Sequence, residues 1–220
     1  MKEFLFISDF DGTLTDMDFY QIIVDRYLGD DGRKLCETWK QGDLTLFEFL
    51  EIVFKSINRD EAEILKTVYE IPFDPYVKTF IDHIKASGID FMILSAGTGY
   101  YIENLFAHLG IKDVPVIANR GVYKDGGVHM LRDRESPFYS EETGIDKSIA
   151  VQKFKHEYRT VFYAGDSQPD LKAAISADLI FARRALKKLL SERNHSFVPF
   201  DSLTEIEEYL ISNKLIIPLN

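Results

Sequence analysis

Glu3-Phe4-Leu5-Phe6-Ile7-Ser8-Asp9-Phe10-Asp11-Gly12-Thr13 is the stretch that decides the fold. Residues 3–8 form a short apolar run that stops at two acids and a glycine, the pattern of a buried strand entering a tight turn. Ending such a strand in carboxylates is costly unless a cation or hydrogen-bond donors compensate. Side chains two apart in extended backbone face the same way, but a turn at Gly12 separates the roles of Asp9 and Asp11. One is placed to coordinate metal and attack, the other to reach a leaving group. The plainer alternative is a solvated turn in which Thr13 and Asp16 cap the next helix. At average residue usage, D-x-D-G-T arises by chance about once in 10⁵ start positions, so the motif carries weight.

Outward from this strand, the periodicity over residues 17–71 is helical. Phe19, Ile22, Ile23 and Tyr27 share one face; Leu46, Phe49, Leu50, Val53, Phe54 and Ile57 share another, entered through a capping box from Thr45 to Glu48. This reads as a small helical bundle inserted after the first strand and closed by Pro72 and Pro75. Beyond it, helix and strand alternate. A helix at 76–87 leads to a strand at 89–94 and the loop Ser95-Ala96-Gly97, then a helix at 99–109 and a strand at 114–118. Val122-Tyr123-Lys124 and Val128-His129-Met130 flank Asp125-Gly126-Gly127, a hairpin signal. A helix near 147–157 precedes a strand at 160–164 that runs into Gly165-Asp166, with helix 168–176 and strand 178–182 after it. Such alternation predicts an α/β fold, a Rossmann-like doubly wound parallel sheet, with ligands at the carboxyl ends of its strands. The expected domains are a core of residues 1–16 and 72–220 and a helical cap of residues 17–71.

The chain has 220 residues and a mass of 25.4 kDa, enough for one good core. A net charge of −10 argues against a general nucleic-acid or acidic-membrane binder, yet leaves room for a small phosphorylated substrate, which needs only local positive charge. The single cysteine, Cys36, excludes an intramolecular disulfide framework and fits a reducing cytoplasm. No apolar run approaches the roughly 18 residues of a membrane span.

Three loops and one lysine then carry the chemistry. Ser95, Ala96 and Gly97 precede a helix, where backbone N–H groups and a hydroxyl make an anion cradle; an ordinary capped turn is the competing reading. In Gly165-Asp166-Ser167-Gln168-Pro169-Asp170, Asp166 is the candidate ligand of a hard divalent cation, with Asp170 supporting it one turn on. Asp170 otherwise reads as a helix-dipole acid. Lys147 has the place in the chain to neutralise a site crowded with carboxylates and phosphate, although a lysine at a helix start is usually a surface charge.

In this order the elements resemble the haloacid dehalogenase superfamily of phosphohydrolases. The first loop looks like its first motif, Ser95 its second, Lys147 its third and Gly165–Asp170 its fourth. The insertion is similar to the cap of the phosphoserine phosphatase-like branch. The stretch from Gly165 through Ala182-Arg183 is most similar to the methionine-salvage 2-hydroxy-3-keto-5-methylthiopentenyl-1-phosphate phosphatases. The resemblance implies Asp9 as nucleophile, Asp11 as acid and base, and Mg²⁺ held by Asp9, Asp166 and the Asp11 carbonyl. It also implies a phosphate held by Ser95, the N–H groups of Ala96 and Gly97, and Lys147, with Thr13 and Asp170 supporting. Glu51 falls where phosphoserine phosphatases carry a carboxylate-binding arginine, and Asp18 is placed to read a substrate amine or to serve as a helix-start acid. The expectation is a Mg²⁺-dependent phosphomonoesterase of a small metabolite, as a monomer or homodimer. Phosphoserine phosphatase, phosphotransferase and dehalogenase activities, and a non-catalytic phospho-accepting switch, are the alternatives.

Overall fold

The computed structural model describes residues 1–217. Strand β1 (Lys2–Ser8) is buried at every position from Leu5 to Ser8, as in a parallel strand covered by helices on both faces. After the first loop come α1 (Phe19–Ile23), a π-helical turn Val24–Leu28, α2 (Gly29–Gln41), α3 (Leu46–Lys55) and α4 (Glu61–Tyr69). Next are α5 (Val77–Ala86), β2 (Asp90–Thr98), α6 (Gly99–Leu109), β3 (Val116–Lys124), β4 (Gly127–Leu131) and the short β5 (Tyr139–Ser140) and β6 (Gly144–Ile145). The chain continues through α7 (Lys147–Lys155), β7 (Tyr158–Gly165), a 3₁₀ turn Gln168–Asp170 and α8 (Leu171–Ser176). It finishes with β8 (Leu179–Ala182), α9 (Arg184–Ser191), β9 (Val198–Pro199) and α10 (Leu203–Ser212). The hydrogen-bonded strand order is β4-β3-β2-β1-β7-β8-β9, mostly parallel, so the expected α/β class is the one observed.

Two compact units make up the chain. The first comprises Met1–Asp16, Phe73–Leu94 and Lys147–Asn220. In it β1 pairs in parallel with β2 on one side, Ser8 opposite Ile93, and with β7 on the other, Ser8 opposite Ala164. Sequence order therefore reverses direction across β1, the topological switch point where ligands of such sheets collect. Phe6 anchors the core beneath, its ring 5.5 Å from Phe91, 5.4 Å from Phe80 and 5.8 Å from Phe181.

The second unit comprises Met17–Pro72 and Ser95–Asp146. Thr45 and Glu48 form the expected reciprocal capping box at the start of α3. Phe19, Phe54 and Tyr101 meet in an aromatic cluster. The β3–β4 hairpin turns at Asp125 and Gly126, both with positive φ, as a two-residue primed turn requires. Two strands run further than the sequence suggests. β2 continues through Ser95–Thr98, residues whose burial favours extended, paired backbone over a loop. β3 starts two residues later than expected and runs on through Asn119–Gly121 into the expected hairpin arm at Val122–Lys124, because the tight turn keeps Arg120–Lys124 paired with β4.

Candidate active site

Asp9 follows β1 directly, and its N–H donates to the Ala164 carbonyl of β7 at 2.9 Å, continuing the sheet one residue past the strand. The next residues coil tightly. The N–H groups of Thr13, Leu14 and Thr15 converge on the Phe10 carbonyl, and the Gly12 N–H donates to Thr15 Oγ1 at 3.0 Å. Gly12 takes φ +73°, and a Cβ there would lie 2.3 Å from Asp166 Oδ2. Only glycine lets this loop approach that carboxylate. Asp11 is half-buried on the turn.

Lys147, the first residue of α7, is buried with its ammonium between two acids, 2.5 Å from Asp9 Oδ1 and 2.7 Å from Asp170 Oδ1. Asp170 is a hub. Its Oδ1 also accepts from Tyr163 Oη at 2.7 Å, and its Oδ2 accepts from the N–H groups of Asp166 and Ser167, both at 3.0 Å. This packing explains Gly165, where a Cβ would stand 2.7 Å from Asp170 Cγ. Asp9 has fewer donors: besides Lys147, Thr13 Oγ1 reaches its Oδ2 at 3.4 Å.

The electrostatics follow the donors. Burial, reinforced by the neighbouring Asp170 charge, pushes the Asp9 carboxyl well above the ordinary carboxylate range against the pull of Lys147. Burial acts in the same sense on Asp170, but Lys147, Tyr163 and the Asp166 N–H override it and hold Asp170 below that range. At Lys147, burial opposes the charge, while Asp170 and Asp9 more than compensate and keep it an ammonium. Burial, then the Asp170 charge, holds the Tyr163 phenol neutral and fit to donate.

Asp9, Asp166 and Asp170 each offer an oxygen within 4.8 Å of the others. An all-carboxylate donor set suits a hard cation such as Mg²⁺, which takes one or two carboxylates and completes its shell with other oxygens. Since the Asp170 oxygens are already engaged by four short hydrogen bonds, Asp9 and Asp166 are the acids fitted to hold it.

The other expected residues belong to the second unit. Ser95, Ala96 and Gly97 are buried on β2, the Gly97 N–H donating to Ser95 Oγ at 3.0 Å. Asn119 shapes this strand end, its amide donating to the carbonyls of Ala96 at 2.8 Å and Thr143 at 2.9 Å. Asp18 is half-buried at the start of α1, where its side chain makes no capping hydrogen bond, and Glu51 is half-buried on α3. Tyr163, Asn119 and Arg184 are absent from the sequence-derived set. A tyrosine within an apolar strand reads as core, and a basic residue at a helix start reads as surface. Only the spacing of Tyr163, two before Gly165 on the same face of β7, hints at its contact with the fourth loop.

At the switch point of the parallel sheet a buried carboxylate thus lies beside a lysine and a second acid loop. The chain belongs to the haloacid dehalogenase-like hydrolase family, whose sequence model matches residues 6–174. Among its relatives is a protein of Microcystis aeruginosa named 2-hydroxy-3-keto-5-methylthiopentenyl-1-phosphate phosphatase. It is 27% identical over 205 residues, covering 92% of this chain and 95% of the relative. Pdp3-interacting factor 1 of Schizosaccharomyces pombe is 26% identical, covering 95% of each chain. Of solved structures, an analogue of the phospho-aspartyl intermediate of a phosphoserine phosphatase shares the fold with a TM-score of 0.69 and 20% identity. That match covers 95% of this chain and 99% of the other. Among the described residues, no helix is long and apolar enough to cross a membrane.

Proposed function

We propose that the protein is a Mg²⁺-dependent phosphomonoesterase that works through an aspartyl-phosphate on Asp9. The observation that carries this reading is the buried Asp9 carboxylate, fixed by Lys147 at the end of the central strand but left with few donors. Asp9 attacks phosphorus, the bond from phosphorus to the leaving oxygen breaks, and Asp11 gives that oxygen its proton. Water then attacks the phosphorus of the intermediate and passes a proton to Asp11, releasing phosphate and restoring the Asp9 carboxylate. A positioned acid and base contributes about 10²–10⁴-fold. Mg²⁺, held by Asp9 and Asp166 with the Asp11 carbonyl, would supply charge neutralisation at the phosphate oxygens. Lys147, Ser95 and the N–H groups of Ala96 and Gly97 bind the remaining oxygens; Thr13 and Asp170 hold the acids in place.

The substrate we infer is the enol-phosphate of methionine salvage, 2-hydroxy-3-keto-5-methylthiopentenyl-1-phosphate. The Microcystis relative supports it, and so does Glu51, whose charge disfavours a substrate carboxylate. Residues 17–71 are then the cap that selects the leaving group, Asp18 and Glu51 among them. The test is phosphate release from a panel of phosphomonoesters that includes this enol-phosphate and phosphoserine, with and without Mg²⁺. Mg²⁺-dependent release, fastest with the enol-phosphate, is expected. Preference for phosphoserine overturns the substrate assignment, and transfer to an added alcohol in place of water makes the enzyme a phosphotransferase.

A further inference from the structure

Arg184 opens α9 in an unusual state. It is a non-glycine residue at φ +47°, in the left-handed region that L side chains rarely adopt. Backbone ties fix it there: the Arg183 N–H donates to the Gly165 carbonyl at 3.1 Å, and the Leu186 N–H to the Asp166 carbonyl at 2.8 Å. Such conformations persist where the surroundings over-determine them. Here they deliver a guanidinium to the first and fourth loops together. Arg184 Nη2 donates to the Asp16 carbonyl at 2.8 Å, while Nη1 stands 3.6 Å from Asp166 Oδ2. A Cβ on Gly12 would lie 2.8 Å from the same Nη1, so the guanidinium rests against the glycine turn itself.

The charges are divided between two cations. Lys147 serves Asp9 and Asp170, whereas Arg184 faces Asp166. The two contacts differ in kind. Lys147 makes short, buried hydrogen bonds; the Arg184 contact is too long for one and acts through charge alone. Its side chain is about one-third exposed, 36% against 8% for Asp166. A group held in this way lends positive charge to the Asp166 carboxylate without occupying it.

We propose that Arg184 sets the affinity of the site for its divalent cation by opposing it. Guanidinium and cation share one carboxylate, and like charges at such separations repel. The strained backbone and the Asp16 carbonyl restrain the arginine from simply withdrawing. Arg184 is thus an affinity-determining residue rather than a catalytic one. The inference rests on the reading of Asp9 and Asp166 as the cation holders.

The experiment is calorimetric titration of the full chain with MgCl₂ in the absence of substrate, each protein first checked for a cooperative thermal transition. Arg184→Gln removes the charge. Arg184→Asn does so with a residue that tolerates left-handed backbone, so that one variant keeps the native turn if the other does not. Both are expected to bind Mg²⁺ about tenfold more tightly than the native chain at low salt. The advantage should shrink as ionic strength rises, since the contact is partly exposed. Arg184→Lys, which keeps the charge, should stay nearer the native affinity. Unchanged Mg²⁺ affinity in the Gln and Asn variants, with binding abolished by Asp166→Asn, overturns the inference and leaves the cation-site reading standing. Absence of Mg²⁺ binding in every protein overturns both.

Discussion

Asp9 and Asp170 share one lysine at nearly equal distances, 2.5 and 2.7 Å, and both are buried, yet their carboxyls are driven in opposite directions. Neither burial nor the ion pair explains the difference, since the two acids have both in common. The Asp170 and Asp166 charges raise Asp9, and hydrogen-bond donors hold Asp170 down. In the 3₁₀ turn that follows β7, Asp170 collects a tyrosine hydroxyl and two backbone N–H groups besides the lysine, and each favours its charged form. At the end of β1, Asp9 has the lysine and a long contact from Thr13. One strand end is a finished electrostatic structure. The other is held in position while its charge stays under-compensated, in keeping with the cation ligand and nucleophile proposed for it.

The comparison can be broken most severely at the shared cation. Lys147→Met leaves Asp9, Asp166 and Asp170 crowded without their buried ammonium, and a loss of about 3–5 kcal/mol is expected in urea denaturation. Asp170→Ala should cost somewhat less, about 3 kcal/mol, because Lys147 keeps Asp9 as a partner. Tyr163→Phe sharpens the contrast instead. Deleting one donor to a charged acceptor costs about 2 kcal/mol at neutral pH, and it should also move acid unfolding. The folded Asp170 carboxyl lies below its unfolded value, so its stabilisation is complete above the ordinary carboxylate pKa and is lost as pH falls through the folded one. Weakening that depression shifts the acid limb of a pH–stability curve to higher pH. The smallest effect belongs to the second unit: Thr45→Ala removes the acceptor that caps α3 and should lower stability by ~1 kcal/mol, read from thermal melts.

The sequence made the two strand ends legible to different degrees. Asp9 and Asp166 stand out because acids at the ends of apolar strands are costly to bury without a partner, and Lys147 only through its place in the chain beside them, since a lysine at a helix start otherwise reads as surface. The α/β alternation and the capping box were legible for the same reason, as local chemistry that only one backbone satisfies. The scaffold around Asp170 was not. Tyr163 lies in an apolar run, where a tyrosine is ordinary core, and its partner seven residues on is set by the turn after β7 rather than by periodicity. Arg184 was hidden further, because its contact depends on a positive φ that an arginine does not announce. Burial through Thr98 likewise could not be told from a strand ending at Leu94, since Ser95, Gly97 and Thr98 look like a loop in one dimension.

The contrast between a scaffold acid and a reactive acid stands or falls on where phosphate attaches. The direct measurement is an acid-quenched single turnover with the best ester of the panel, followed by mass mapping of the peptides. One added phosphoryl group is expected on the peptide carrying Asp9 and none on that carrying Asp170. Asp9→Asn should show neither the adduct nor phosphate release, while unfolding as cooperatively as the native chain. Phosphate release by Asp9→Asn at the native rate, or an adduct on any other residue, would contradict that contrast.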